Sequence, residues 1–262
     1  MTKLIILAAG RGSRLSKYTS DCPKGMLFFG GKPLLQHQID IFQECGITDI
    51  FIIRGYMKNH INFKNIEYFD NDQFASTNMV ESLMCAKEVL TESCIITYSD
   101  LVFEKNVAKR LVNSKFDVGV VVDTNFEKYW KARLGEDYLS DMESLVISKD
   151  RIIDIGKISP DKSEVHGRYV GALKFSKLGI ESLVSCYNKN KLAKSLNSDG
   201  SRKFEKWHMT DLLKAMIDEE TKVNPILISR GWLEFDTDND YDLYNKWYNE
   251  KIISEFINIS HE

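Results

Sequence analysis

The sequence predicts an α/β protein with a Rossmann-like, mostly parallel mixed sheet. Helices flank this sheet, and a small lid of strands and loops covers it. Short apolar runs rich in Ile, Leu and Val recur along the chain, as in strands buried on both faces of a parallel sheet. Segments with helical spacing separate these runs, as in βαβ units. A glycine-rich loop directly follows the first run, at the sheet edge where open α/β sheets bind ligands.

In the first half of the chain, predicted strands and helices alternate. Apolar residues at helical spacing predict a helix over residues 34–42, which Gly46 stops, and a second helix over residues 78–90. Four apolar runs predict buried strands: residues 3–7, 49–53, 94–98 and 118–122.

The second half begins with a polar, turn-rich segment. Residues 128–161 predict a small sheet and loops that cover the site. Asp238 is the expected cap of the last helix. The remaining predicted elements are strands over residues 170–175, 223–228 and 232–236 and helices over residues 209–219 and 238–255. No repeat or linker is evident, so we expect one domain over residues 1–262.

The composition is typical of a folded globular protein. The chain has 262 residues, 43% of them hydrophobic, and 35 Lys and Arg against 38 Asp and Glu give a net charge of −3. This balance excludes bulk disorder and argues against a dedicated nucleic-acid-binding protein. The five cysteines form no CxxC pair, so we expect reduced thiols rather than disulfides or a zinc site.

The first apolar run is too short to cross a membrane. Residues 4–9 fall far below the roughly 20 residues that a spanning helix needs. The run also begins too early and lacks the charged lead and the cleavage site of a signal peptide. We therefore expect a cytoplasmic protein without a membrane or nucleic-acid partner.

The glycine-rich loop has the chemistry of an anion site. It runs LAAGRGSR over residues 7–14, and Pro23 and Lys24 follow downstream. Glycines let backbone N–H groups approach phosphate oxygens, and small alanines leave room for a flat base or a ribose. Arg14 and Lys24 add charge for a phosphate and for the charge that grows in a transition state. A GxG alone would indicate only a turn, and the loop is neither a P-loop nor a GxGxxG fingerprint.

Motifs in the first 38 residues resemble a known superfamily. LAAGRGSRL, then Thr19, PKGML and FGGKPLLQHQ, resemble the nucleotidyltransferases that make sugar nucleotides, and most closely the phosphocholine and phosphonate cytidylyltransferases. The resemblance spans essentially the whole chain and implies the nucleotide-diphospho-sugar transferase fold. It implies a nucleotide-binding half over residues 1–125 and an acceptor-binding, metal-completing half over residues 126–262. It also implies Mg²⁺, a nucleoside triphosphate, a phosphorylated or phosphonate acceptor and release of pyrophosphate.

The resemblance assigns the nucleotide site mainly to the glycine-rich loop. It implies that Arg14 and Lys24 are catalytic. Asn78 is also expected to contact the nucleotide, although a helix cap would explain it equally well. The residues expected to bind the nucleotide are Leu7, Ala8, Ala9, Gly10, Arg11, Gly12, Asn78 and Ser99.

Three carboxylates suit a metal site. Asp100 follows the strand at residues 94–98, where it is either a turn residue or a ligand for a hard cation. Period-two alternation places Glu234 and Asp236 on one face of a strand, which is either a solvated face or a functional one. The resemblance implies that Asp100, Asp236 and Glu234 together bind Mg²⁺.

The acceptor site is expected to lie in the second half. Tyr129 and Trp130 either hold a quaternary ammonium by cation–π attraction or cover the core. Lys157 either faces the acceptor phosphate or is a surface lysine. The residues expected to bind the acceptor are Asp123, Tyr129, Trp130, Arg133 and Lys157.

These observations predict a Mg²⁺-dependent cytidylyltransferase. It would join CTP to a small acceptor such as phosphocholine, aminoethylphosphonate or an amino-acid phosphate of the phosphoglutamine type. One alternative is a sugar-1-phosphate nucleotidyltransferase that uses UTP, dTTP or GTP. Another is a non-catalytic nucleotide-binding regulatory module. The aromatic C-terminal helix packs either on its own core or on a partner, so a homodimer also stays open.

Overall fold

A computed structural model describes residues 2–158, 160–194 and 203–259. The strands are β1 (Lys3–Ala8), β2 (Phe28–Phe29), β3 (Lys32–Pro33), β4 (Ile50–Arg54), β5 (Glu67–Asp70), β6 (Cys94–Tyr98), β7 (Leu101–Phe103), β8 (Val118–Asp123), β9 (Glu143–Ser148), β10 (Arg151–Ile158), β11 (Arg168–Phe175), β12 (Val223–Ile228) and β13 (Trp232–Glu234). The helices are α1 (Leu34–Glu44), α2 (Met79–Met84), α3 (Lys105–Asn113), α4 (Glu127–Leu134), α5 (Lys177–Lys194), α6 (Met209–Asp218) and α7 (Asp238–Asn249). Short 3₁₀ turns connect several of them.

The central sheet has seven strands in the order β12-β8-β11-β6-β1-β4-β5. β11 is antiparallel to β6 and β8, and the other neighbouring pairs are parallel. Apart from Lys3 and Thr97, β1 and β6 consist of apolar residues, which are buried because both faces of the sheet are covered. The predicted fold class is therefore confirmed. The two predicted halves share this sheet, since β11 and β12 join strands of the first half.

Two helices are clearly shorter than predicted, and a third lies where only strands and loops were expected. The segment expected as lid loops begins with α4, in which the adjacent Tyr129 and Trp130 pack inward. α2 has only six residues, and a 3₁₀ turn at Lys87–Val89 follows it. α7 ends at Asn249, because Lys251 adopts a left-handed φ of 61°.

The cap of α7 is Thr237 rather than the expected Asp238. The Thr237 hydroxyl accepts the backbone N–H of Asp240, and the Asp240 carboxylate accepts the backbone N–H of Thr237. This reciprocal pair gives hydrogen-bond partners to backbone N–H groups at the start of the helix, which have none within the helix itself. Asp240 is thus buried at the start of α7.

The lid is a hairpin of β9 and β10, which pair antiparallel. A smaller ladder of β7 and β13 lies beside the end of β6 and brings a late segment of the chain to that edge. Within the described residues, no helix is long and apolar enough to cross a membrane.

Candidate active site

Lys24 lies between two carboxylates at the edge of the central sheet. Its Nζ is 3.0 Å from Asp100 Oδ2 and 3.3 Å from Asp236 Oδ1. Burial alone would lower the pKa of Lys24, but these two carboxylates outweigh burial and raise it. Lys24 therefore carries its positive charge at this point, although 212 residues separate it from Asp236 along the chain.

The ladder of β7 and β13 explains how Asp100 and Asp236 meet. Asp100 lies in the turn between β6 and β7, and Glu234 of β13 stands opposite Leu101 in the register. The backbone N–H of Phe235 donates to the Asp100 carbonyl at 2.9 Å. Phe235 is buried, so the alternating side chains on either side of it turn towards the site.

Arg14 adds a second cation from the glycine-rich loop. Its Nη1 lies 2.7 Å from Asp236 Oδ2, and the side chain is 68% exposed. Gly12, with a left-handed φ of 68°, turns the chain into the 3₁₀ turn that carries Arg14. The structure thus brings the two residues expected to be catalytic to one carboxylate.

Arg133 is buried behind the site instead of lining an acceptor pocket. Its side chain is 3% exposed, and its Nη1 donates to Glu234 Oε2 at 3.0 Å. Burial would raise the pKa of Glu234, but Arg133, with Arg168 and Lys24, outweighs burial and lowers it. Glu234 is therefore ionised and engaged by a guanidinium.

The donor set at Asp100 and Asp236 fits a hard cation. Asp100 Oδ1 is buried and accepts no hydrogen bond from the protein, so one carboxylate oxygen is left for another partner. In the described parts of the chain, no three acidic, His or Cys side chains group as metal ligands, so the expected trio with Glu234 is not assembled. Mg²⁺ commonly takes one or two carboxylates and completes its shell with water and substrate phosphates.

A pocket of about 150 Å³ opens beside Lys24 and Asp100. It contains six of the eight residues expected to bind nucleotide: Leu7, Ala9, Gly10, Gly12, Asn78 and Ser99. Ala8 is buried within β1, and Arg11 lies over the ring of Tyr56 at 5.5 Å, so neither lines the pocket. The Asn78 side chain also accepts the backbone N–H of Met79 and so caps α2. Nucleotide contact and helix capping, the two roles that the sequence allowed, are therefore compatible.

The wall of this pocket includes residues that the sequence patterns did not single out. They are Phe74, Met79 and Ser82. Thr77 also lines the wall and belongs, with Asn78, to the run of small polar residues that leads into α2, which capping explains equally well.

A second pocket, of about 230 Å³, adjoins the first, and both are lined by Met79 and Tyr98. Its walls come from the lid and from β11 and β13. Its charged residues are Arg14, Arg168, Asp141, Glu143, Glu234 and Asp236. Arg168 lies over Trp130 at 4.4 Å and donates to the Asp141 carbonyl at 2.7 Å, which aligns its guanidinium at the pocket wall.

The residues expected to bind the acceptor lie elsewhere. Asp123 is buried and accepts from the indole N–H of Trp232 at 2.8 Å. Tyr129 and Trp130 are buried in the core, which is the alternative that their sequence left open. Lys157 pairs with Glu164 beside a different cavity. None of these residues, nor Arg133, lines the second pocket.

Comparisons with known proteins agree with this architecture. Residues 4–199 match the family model of the MobA-like NTP transferase domain. The CTP:phosphoglutamine cytidylyltransferase of Campylobacter jejuni is 32% identical over 250 residues, which cover 91% of this chain and 97% of that protein. The choline-phosphate cytidylyltransferase of Streptococcus pneumoniae is 35% identical over 140 residues, which cover 52% and 60%.

Solved structures show the same fold. The CTP:phosphocholine cytidylyltransferase from Streptococcus pneumoniae superposes with a TM-score of 0.72 at 25% identity, over 94% of this chain and 99% of that one. The inositol-1-phosphate CTP transferase from T. maritima superposes with a TM-score of 0.66 at 18% identity, over 99% and 98%. The second likeness concerns the fold alone. With a family match over most of its length and a relative that covers nearly all of it, the chain belongs to the MobA-like NTP transferases and is a nucleotidyltransferase.

Proposed function

We propose that this protein is a Mg²⁺-dependent cytidylyltransferase that joins CTP to a small phosphorylated or phosphonate acceptor and releases pyrophosphate. The observation that carries the proposal is the position of Lys24, Asp100 and Asp236 where two adjoining pockets meet. One pocket has mostly neutral walls and suits a nucleoside. The other has charged walls and suits a small ionic acceptor. The cytidylyltransferase relatives support the choice of CTP.

The reaction is an in-line displacement at phosphorus. An acceptor oxygen forms a bond to the α-phosphorus of CTP, the bond from that phosphorus to the bridging oxygen breaks, and pyrophosphate leaves with the electron pair. A phosphomonoester has a second pKa of roughly 6, so the attacking oxygen is already anionic near neutral pH. The protein therefore needs to relieve repulsion between anions and to align them, rather than to remove a proton.

Lys24 and Arg14 supply the fixed positive charge for this task. Lys24 is held by two carboxylates in a largely buried position, so its ammonium needs little reorganisation during the reaction. Arg14 is more exposed and lines the acceptor pocket beside Asp236, where it suits the acceptor phosphate. Asp100 and Asp236 would hold Mg²⁺, which neutralises phosphate charge and aligns the two reactants.

The charges of the second pocket favour an acceptor that carries a cationic group. Four carboxylates line it against two guanidinium groups. The charged side chains of this lining therefore carry a net negative charge. The amino or ammonium groups of phosphocholine, aminoethylphosphonate or an amino-acid phosphate would complement it.

The test is an acceptor screen with each triphosphate, scored by pyrophosphate release and by the mass of the product. We expect a CMP-containing product with CTP, and loss of turnover on chelation with recovery on adding Mg²⁺. Asp100→Asn should lower turnover about a hundredfold or more. Asp70→Asn is its matched control and should keep wild-type turnover, because Asp70 ends β5 away from both pockets and pairs with Arg54. Transfer with UTP or dTTP but not CTP would contradict the proposal, as would turnover that survives chelation.

A further inference from the structure

Asn71 is a buried amide behind the wall of the nucleotide pocket. Its Nδ2 donates to Thr77 Oγ1 at 3.0 Å and to Ser82 Oγ at 2.9 Å. Its Oδ1 accepts the backbone N–H of Gln73 at 3.0 Å. A backbone N–H can only donate, so the orientation of this amide is determined, and both of its N–H bonds are committed to the two hydroxyls.

The two hydroxyls consequently have their own protons directed away from Asn71. Thr77 Oγ1 donates to the Gln73 carbonyl at 2.9 Å, and Ser82 Oγ donates to the Asn78 carbonyl at 3.1 Å. Each oxygen thus gives one hydrogen bond and receives one. What remains on each is a lone pair, which can only accept.

Thr77 and Ser82 line the part of the pocket that suits a base. The charged side chains of its lining are Lys24 and Asp100, and the rest are neutral. A triphosphate belongs beside Lys24, which leaves the base against the neutral walls. Phe74 and Met79 supply apolar side chains to this lining, and Thr77 and Ser82 are hydroxyl-bearing residues of the same wall.

We propose that Asn71, by orienting Thr77 and Ser82, makes this wall an acceptor-only edge that selects cytosine through its 4-amino group. Cytosine presents an N–H donor at this position, whereas uracil and thymine present a carbonyl oxygen that would face a lone pair. The inference rests on the proposed function for the presence of a nucleotide. It adds which residues distinguish CTP from UTP, and why.

Nucleotide binding tests it without turnover. Affinities of the wild-type protein are measured by calorimetry for CTP, for UTP and for the triphosphate of pyrimidin-2-one riboside, which has no substituent at position 4. An acceptor-only wall predicts that CTP binds best, the unsubstituted analogue next and UTP worst. In Thr77→Val and Ser82→Ala, the preference for CTP over UTP should fall about threefold to tenfold each, chiefly through weaker CTP binding.

Ser76→Ala is the matched control. Its hydroxyl also donates to the Gln73 carbonyl, but the side chain is exposed and does not line the pocket. It should keep the wild-type order of the three affinities. Equal wild-type affinity for CTP and UTP, or an unchanged preference in folded Thr77→Val and Ser82→Ala, would overturn the inference while nucleotide binding stands. If the folded wild-type protein bound none of the three nucleotides, the proposed function itself would fail.

Discussion

Arg133 and Asp240 form a two-point ion pair, although 107 residues separate them. Nε lies 2.6 Å from Oδ1, Nη2 lies 2.7 Å from Oδ2, and both side chains are almost fully buried. Asp240 Oδ2 also accepts the backbone N–H groups of Asp236 and Thr237, at 3.1 and 2.8 Å. The pair thereby fixes the backbone that carries Asp236 towards Lys24.

Replacing Asp240 by Asn should destabilise the protein strongly. The change leaves the Arg133 guanidinium buried without its full counter-charge, and breaking a buried pair costs about 3 kcal/mol or more. Denaturant unfolding of the two proteins measures the difference. Asp242→Asn is the control, because Asp242 lies two residues further along α7 in an exposed pair with Lys17. It should unfold like the wild type, and equal stabilities of Asp240→Asn and Asp242→Asn would contradict the prediction.

Lys24→Ala should lower turnover by about a hundredfold or more, because a preorganised charge is lost where the α-phosphoryl group reacts. The measurement is the rate of pyrophosphate release at saturating CTP, accompanied by thermal unfolding. Lys17→Ala is the control, since Lys17 is an exposed lysine of the same amino-terminal region and pairs with Asp242. A folded Lys24→Ala protein with wild-type turnover would remove Lys24 from the mechanism.

Gly10→Ala should separate nucleotide binding from stability. A Cβ at Gly10 would meet no heavy atom within 4 Å, and the backbone there is not left-handed, so folding should be unaffected. The same methyl group would project from a residue that lines the pocket and obstruct close approach of a nucleotide. We expect CTP affinity to fall about tenfold or more at an unchanged melting temperature. Unchanged CTP affinity would show that the nucleotide does not approach this loop.

For Gly55→Ala we expect a loss of stability instead. Its Cβ would lie 2.6 Å from the Ala9 carbonyl oxygen and 2.8 Å from Phe74 Cβ, so backbone must shift. The melting temperature should fall, because overpacking a close contact typically costs about 1–3 kcal/mol. Thermal unfolding of Gly55→Ala beside Gly10→Ala measures this. A Gly55→Ala protein as stable as Gly10→Ala would contradict the close packing of these two segments.

Arg168→Met should weaken acceptor binding and spare the nucleotide. Arg168 lines the second pocket and is aligned there by Trp130 and Asp141. We expect the KM for the acceptor to rise about tenfold or more, while the KM for CTP stays within about twofold. Arg151→Met, an exposed arginine of β10, is the control. Equal increases in both KM values would indicate a general disturbance and not a role in the acceptor pocket.

Much of the fold and part of the site follow from local sequence patterns. The apolar runs predict β1, β4, β6 and β8 because a strand buried on both faces is a nearly continuous apolar run. It can be recognised without knowing which strands it pairs with. Asp100 was identifiable because it lies two residues beyond the end of such a run. Lys24 was identifiable through its motif and Asp236 through the alternation along its predicted strand, and the structure places both within reach of one another.

Other features depend on which distant segments pack together. α4 shows no clear apolar stripe, and only tertiary burial of Tyr129 and Trp130 explains its side-chain arrangement. In the sequence, an arginine that binds a ligand cannot be told from one that neutralises a buried carboxylate. Only the fold pairs Arg133 with Asp240.

The sequence by itself determined the strand pattern, the cationic loop and the acidic positions, because periodicity and short motifs are local properties of the chain. The tertiary structure alone decided which charges face a pocket and which neutralise one another inside the protein. The physical reason is that the ionisation and role of a side chain depend on its burial and on its nearest charges, and here those charges come from segments more than 100 residues away.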